Sequence, residues 1–131
     1  LTPYQLIGLP YRLGAVPDRH GAADCVSAAR TVLAHYGIET PEPKREWYRR
    51  LRRGDTTIFR EQLQAWGEVT DTPKVGVVAL CEAETGFALA TFFEQGWISF
   101  VGQAVQWSPI GALPVVACYC QRKSSYARPS A

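Results

Sequence analysis

From Ala22 to about Gly37 the apolar positions recur at spacings of three and four. Cys25, Ala29, Val32 and Tyr36 form one line, and Val26, Ala29 and Leu33 a second. That period predicts a helix with one buried stripe, stopped at Gly37. Asp24 falls in its first turn, where the helix dipole favours a carboxylate. Upstream, "GLPYRLGAVPDRHGA" has no such period and is crowded with Gly and Pro, which predicts a loop of several turns after a short helix or strand. Downstream, the prolines of "PEPKREWYRRLRRGD" delay the next start, and a short helix carrying Trp47 and Leu51 ends at Gly54. Asp55 or Thr56 can cap another helix that runs to about Trp66, with Phe59, Leu63 and Trp66 inward.

Beyond Trp66 the pattern changes. "KVGVVALC", "GFALATFF", "GWISF", "AVQW" and "PVVACYC" are short, rich in β-branched and aromatic residues, and separated by Gly, Glu, Gln or Pro. They predict consecutive antiparallel strands. Helices followed by strands imply an α+β fold, with N-terminal helices packed on a C-terminal antiparallel sheet of about five strands. No repeat or linker divides the chain. We therefore expect one domain over residues 1–122 and a loose tail over 123–131, where "QRKSSYARPSA" has little to bury.

Composition narrows this picture only slightly. At 131 residues and 47% hydrophobic, the chain can bury one core. A net charge of +2 names no partner. No run approaches the roughly 20 apolar residues of a membrane span, so no membrane association is expected. No basic, then apolar leader is present, which implies a chain made in the cytoplasm without a signal peptide. Its four cysteines are then free thiols rather than a disulfide framework.

Three features could carry chemistry. The first is Cys25, directly after Asp24 where a loop enters a helix, a position that favours thiolate. The competing reading is a core thiol on the buried stripe. A nucleophile needs a base, and only His20 and His35 exist. His20 lies five residues before Cys25 in the loop and can fold back. His35 lies ten residues on, about 15 Å along the helix at 1.5 Å per residue, and cannot reach. The second feature is Cys81 with Cys118 and Cys120. Cys-x-Cys with one distant cysteine lacks the paired spacing of a zinc site, so neither metal nor cofactor is expected. The third is the basic helix, where Arg45, Trp47, Arg49, Arg50, Arg52 and Arg53 could form a partner-binding face for an acidic protein surface. Nucleic acid is disfavoured, because the chain is nearly neutral overall and has no nucleic-acid fold motif.

"LPYRLG", then "ADC" opening a helix, then a half made of strands, resembles the NlpC family of papain-like cell-wall peptidases. Pro10, Tyr11, Gly14, Asp24 and Cys25 carry the resemblance. The stretch "GFALATFFEQGWISFVGQAVQWSPIGALPV" is similar to small members found in bacteriophage tail modules, and the likeness spans about residues 5 to 122. It implies a papain-like NlpC-type fold, Cys25 as nucleophile, Tyr11 and Asp24 beside it, a histidine on the first strands, and cleavage of amide bonds in peptidoglycan stem peptides. The chain departs from the family at the histidine. Aligning "ALATF" puts Ala88 at its place, and aligning "KVGVVAL" puts Lys74 there. The expectation is an NlpC-like domain without its catalytic histidine, acting as a structural or assembly component of a phage tail or baseplate, incorporated in a virion and bound to its other proteins. The alternative is an active cysteine peptidase or amidase that cleaves peptidoglycan, with His20 as base.

Overall fold

The structure, a computed structural model, describes residues 1–122. The tail expected over 123–131 lies outside the described residues. Five helices come first: α1 (Pro3–Leu6), α2 (Pro17–His20), α3 (Cys25–His35), α4 (Arg45–Arg52) and α5 (Thr57–Trp66). Six strands follow: β1 (Gly67–Thr70), β2 (Val78–Ala83), β3 (Gly86–Phe93), β4 (Gly96–Val101), β5 (Ala104–Pro109) and β6 (Val115–Gln121). The fold is α+β, and every strand pair in its single sheet is antiparallel. β2 to β5 form a meander, while β6 returns across the sheet to lie between β1 and β2.

Two of these elements leave little trace in the sequence. α2 is a single turn begun by Pro17 and closed by Gly21 at φ 63, too short to show a period. β1 follows α5 directly, and its only large apolar side chain, Val69, is exposed. Pairing with β6 makes it a strand. A Cβ on Gly67 would come within 2.3 Å of the Cys120 carbonyl oxygen, so the backbones meet closely there.

Apolar surface is buried on both sides of the sheet. On the helix side, Val26 and Leu33 of α3 meet Trp47, Ile58, Phe59 and Leu63, with Val78, Leu80 and Leu89 beneath. A neighbouring cluster joins Leu6, Ala28 and Val32 to Phe93, Ile98 and Val105. On the far side, Val77, Ala79, Cys81, Ala90, Phe92, Trp97 and Cys118 form a third cluster, joined by Cys120. Burial on both faces is why "KVGVVALC" reads as a continuous apolar run instead of alternating. Along β3, Phe87, Leu89 and Phe93 face the helices, while Ala90 and Phe92 face away.

The basic helix is not the uniform binding face its sequence implies. Trp47 is 7% exposed and belongs to the core, because one aromatic on this short helix anchors it to the rest of the fold. Arg50 is also engaged, with Nε donating to Asp55 at 2.8 Å and both terminal nitrogens donating to Glu61 at 2.6 and 2.7 Å. Of the expected partner-binding residues, Arg45, Arg49, Arg52 and Arg53 are exposed. No helix among the described residues is long and apolar enough to cross a membrane.

Candidate active site

The candidate site is built around the start of α3. Asp24 is the N-cap, one position before the first helical turn in which the sequence pattern put it. Its Oδ1 accepts the Ser27 N–H at 2.8 Å, and Ser27 Oγ accepts the Asp24 N–H at 2.9 Å, a reciprocal capping box. The other carboxylate oxygen accepts the Gly14 N–H at 2.7 Å. At 2% exposure this carboxylate is fully committed to holding a loop against a helix end. The backbone reinforces the same junction: Arg12 N–H donates to Ala23 O at 2.9 Å and Ala23 N–H to Pro10 O at 3.0 Å. Tyr11 is thereby set beside Cys25, with its ring edge-on to Phe100 at 5.2 Å.

Cys25 opens α3 and borders a cavity of about 130 Å³. Tyr11, Asp24, Thr56, Phe59 and Phe87 line that cavity with it. The sheet edge explains how the thiol is held. β4 pairs with β3 only over Thr91–Phe93, so the earlier part of β3 has no strand on that side. Unpaired strand N–H groups in a part-buried position need acceptors. The Phe87 N–H donates to Thr56 Oγ1 at 2.9 Å, and the main chain of Leu89 hydrogen-bonds the Cys25 sulfur.

Opposing influences act on this thiol. Burial raises its pKa most strongly, the Leu89 main-chain contact lowers it, and the Asp24 carboxylate raises it again, so that it is pushed up to about 11. Tyr11 titrates above its ordinary value for the same main reason, burial, with the nearby Cys25 and Asp24 adding to the effect. Burial also pushes Tyr48 up to about 12, with Asp24 adding to the effect and Arg30 opposing it.

Of the expected site residues, the fold brings Tyr11, Asp24 and Cys25 together. It does not bring His20. That side chain ends α2, is exposed, and uses Nδ1 to accept the Val16 N–H at 2.8 Å, closing its own turn. His35 ends α3, with its ring against Tyr36 at 4.9 Å. Lys74 is exposed before β2. Ala88 is opposite Cys81 in the β2–β3 register, and strand alternation puts it on the face turned away from the helices. The β3 side chain at the Cys25 cavity is Phe87, with Arg60 stacked on its ring at 4.7 Å.

Thr56, Phe87 and the Leu89 main chain are the site groups that the sequence pattern does not reveal. One signal for Phe87 was available: in "FALATFF" the first large positions alternate with alanines, and large residues face a helical core. The sequence offers Thr56 only as a helix cap; it is the N-cap of α5, but its hydroxyl accepts from a strand 31 residues away rather than from its own helix. Among the described residues no group of three or more His, Cys, Asp or Glu could hold a metal ion. Cys118 and Cys120 do share one strand face, as their spacing predicts. No protein-family model matches the chain, and no curated protein matches it.

Proposed function

We propose that this chain is a papain-like, NlpC-type domain that has given up peptidase chemistry and serves as a structural component of a multi-protein assembly. A bacteriophage tail or baseplate is the setting that the sequence resemblance suggests. The observation that carries this reading is the wall opposite Cys25, where Phe87 lines the cavity and no imidazole does. A thiol pushed up to about 11 stays largely protonated at neutral pH, and no histidine lines its cavity to take the proton. Amide cleavage also needs an acid for the leaving amine, and an imidazole usually supplies it. His20 is spent on the Val16 N–H.

The same residues have a structural use. Asp24 ties the Tyr11 loop to α3, and Cys25 occupies the uncovered edge of β3. The exposed arginines of α4, Arg45, Arg49, Arg52 and Arg53, supply a surface suited to an acidic region of a neighbouring protein. The test is release of soluble stem peptides from purified peptidoglycan by the native chain and by Cys25→Ala. Equal, background release from both is expected. Release that depends on Cys25 would overturn the proposal.

A further inference from the structure

α4 is built against two local rules of helix stability. Its N-cap is Lys44, which makes no side-chain cap hydrogen bond, and its first residue is Arg45, so two cations stand at the end whose dipole favours anions. Arg49 then lies four residues after Arg45, three before Arg52 and four before Arg53, spacings at which like charges repel on a helix surface. At about 100° per residue, these four arginines share roughly 100° of arc on the side away from buried Trp47. All four are exposed, and among the described residues none forms an ion pair. Arg50 is the contrast: it lies beyond one flank of the stripe, where Asp55 and Glu61 take its guanidinium. Glu46, the only acid on the helix, lies on that same flank.

The fold itself does not account for this row of charge. α4 is held by Trp47, with Leu51 partly buried beside it, and neither contact needs cations on the opposite side. The arginines of the last turn gain from the helix C-terminus, but Arg45 is at the wrong end to do so. A row of carboxylates from outside relieves the repulsion. From Arg45 to Arg53 the stripe runs about 12 Å at 1.5 Å per residue, with successive arginines about 5–6 Å apart along the axis. Carboxylates four residues apart on a helix repeat every 6 Å or so, and each guanidinium fork can hold one through two parallel hydrogen bonds. A nucleic-acid duplex fits less well, because its charge continues far past the stripe over a chain whose net charge is only +2.

We propose that Arg45, Arg49, Arg52 and Arg53 form a docking stripe for an acidic peptide segment of a neighbouring protein, one that presents a row of carboxylates about 6 Å apart. This assignment rests on the reading of the chain as an assembly component and gives that role a defined contact. Binding exchanges repulsion within α4 for charge-assisted hydrogen bonds across the interface.

The probes are two fluorescein-labelled helical peptides of equal composition, with glutamates aligned on one face of the first and spread around the second. Anisotropy is followed as the full native chain is added. The aligned peptide should bind saturably at low salt with Kd near or below about 100 μM, at least about threefold more tightly than the dispersed one. Raising salt to about 300 mM should weaken it roughly tenfold. Arg49→Gln with Arg52→Gln, both exposed, should weaken the aligned peptide about tenfold and remove its advantage. Arg45→Gln should weaken it too, while raising the thermal midpoint of the free chain by about 1–3 °C. Equal affinity for the two peptides, or no loss in the double variant, would overturn the stripe. Tighter binding of an oligothymidylate of equal charge would overturn the assignment to an acidic peptide. A midpoint that does not rise in Arg45→Gln would overturn the claim that these arginines are held against the stability of the fold. None of these readings depends on Cys25, so the stripe and the loss of peptidase chemistry fail separately.

Discussion

Asp24 and Cys25 are adjacent, and the fold uses them in opposite ways. The carboxylate is a structural acceptor: it caps α3 through Ser27 and holds the Gly14 amide, with both oxygens engaged. Asp24→Ala removes a helix cap and leaves a part-buried N–H unmet. It should therefore cost about 2–4 kcal/mol in chemical denaturation. Asp24→Asn keeps one acceptor oxygen and should lose about half as much. A loss below about 1 kcal/mol for the alanine variant would show that the loop finds other partners. Cys25, by contrast, has its pKa pushed up to about 11, chiefly by desolvation. The sequence made the pair legible as a loop meeting a helix start. It could not show which force would govern the thiol, because the helix dipole is local while desolvation comes from Phe59 and Phe87, more than 30 residues away.

The helices with a sustained period were readable as elements, and the strands rich in β-branched and aromatic residues equally so. α3 buries Val26, Ala29, Val32 and Leu33 as the spacing required. What escaped was decided by partners: β1 by its pairing with β6, and the orientation of β3 by the helices above it. α4 shows the same limit from another side. A run of Arg with an interleaved Trp reads as a binding surface, yet Trp47 is core and Arg50 binds Asp55 and Glu61 at the next helix.

The Arg50 network makes a pH-dependent contribution whose direction is fixed. Hydrogen bonds, from Thr57 and Arg50 to Asp55 and from Arg50 to Glu61, lower the pKa of both carboxyls. Lowered carboxyl pKa values stabilise the folded state above the unfolded values, about 3.9 for Asp and 4.3 for Glu, and that stabilisation is lost as pH falls through the folded values. Arg50→Gln should therefore be less stable than the native chain at pH 7 and approach it below about pH 4, with the gap at pH 7 narrowing in high salt. A gap that persisted unchanged at acid pH would show that Arg50 acts through packing.

At the scale of the molecule, two cavities flank the wall of Val26, Leu51 and Phe59, and only one of them contains a nucleophilic atom. The sheet supplies Phe87 to that cavity and the loop supplies Tyr11, so aromatic rings border Cys25 beside Asp24 and Thr56. The α+β layout, the helix carrying Cys25 and the loop carrying Tyr11 could be anticipated from sequence. The identity of the strand residue opposite the thiol required the register of β2 and β3, which fixes the faces of Phe87 and Ala88. The proposed loss of thiolate chemistry would thus be a property of how the layers meet rather than of any one motif.

The most direct measurement is the rate of Cys25 alkylation by iodoacetamide as a function of pH in the native chain, with Cys25→Ser to subtract the other three thiols. The rate should climb about tenfold per pH unit with no plateau below about pH 10, unchanged in His20→Ala. A plateau with an apparent pKa below about 7, abolished in His20→Ala, would contradict it and establish a working thiolate pair.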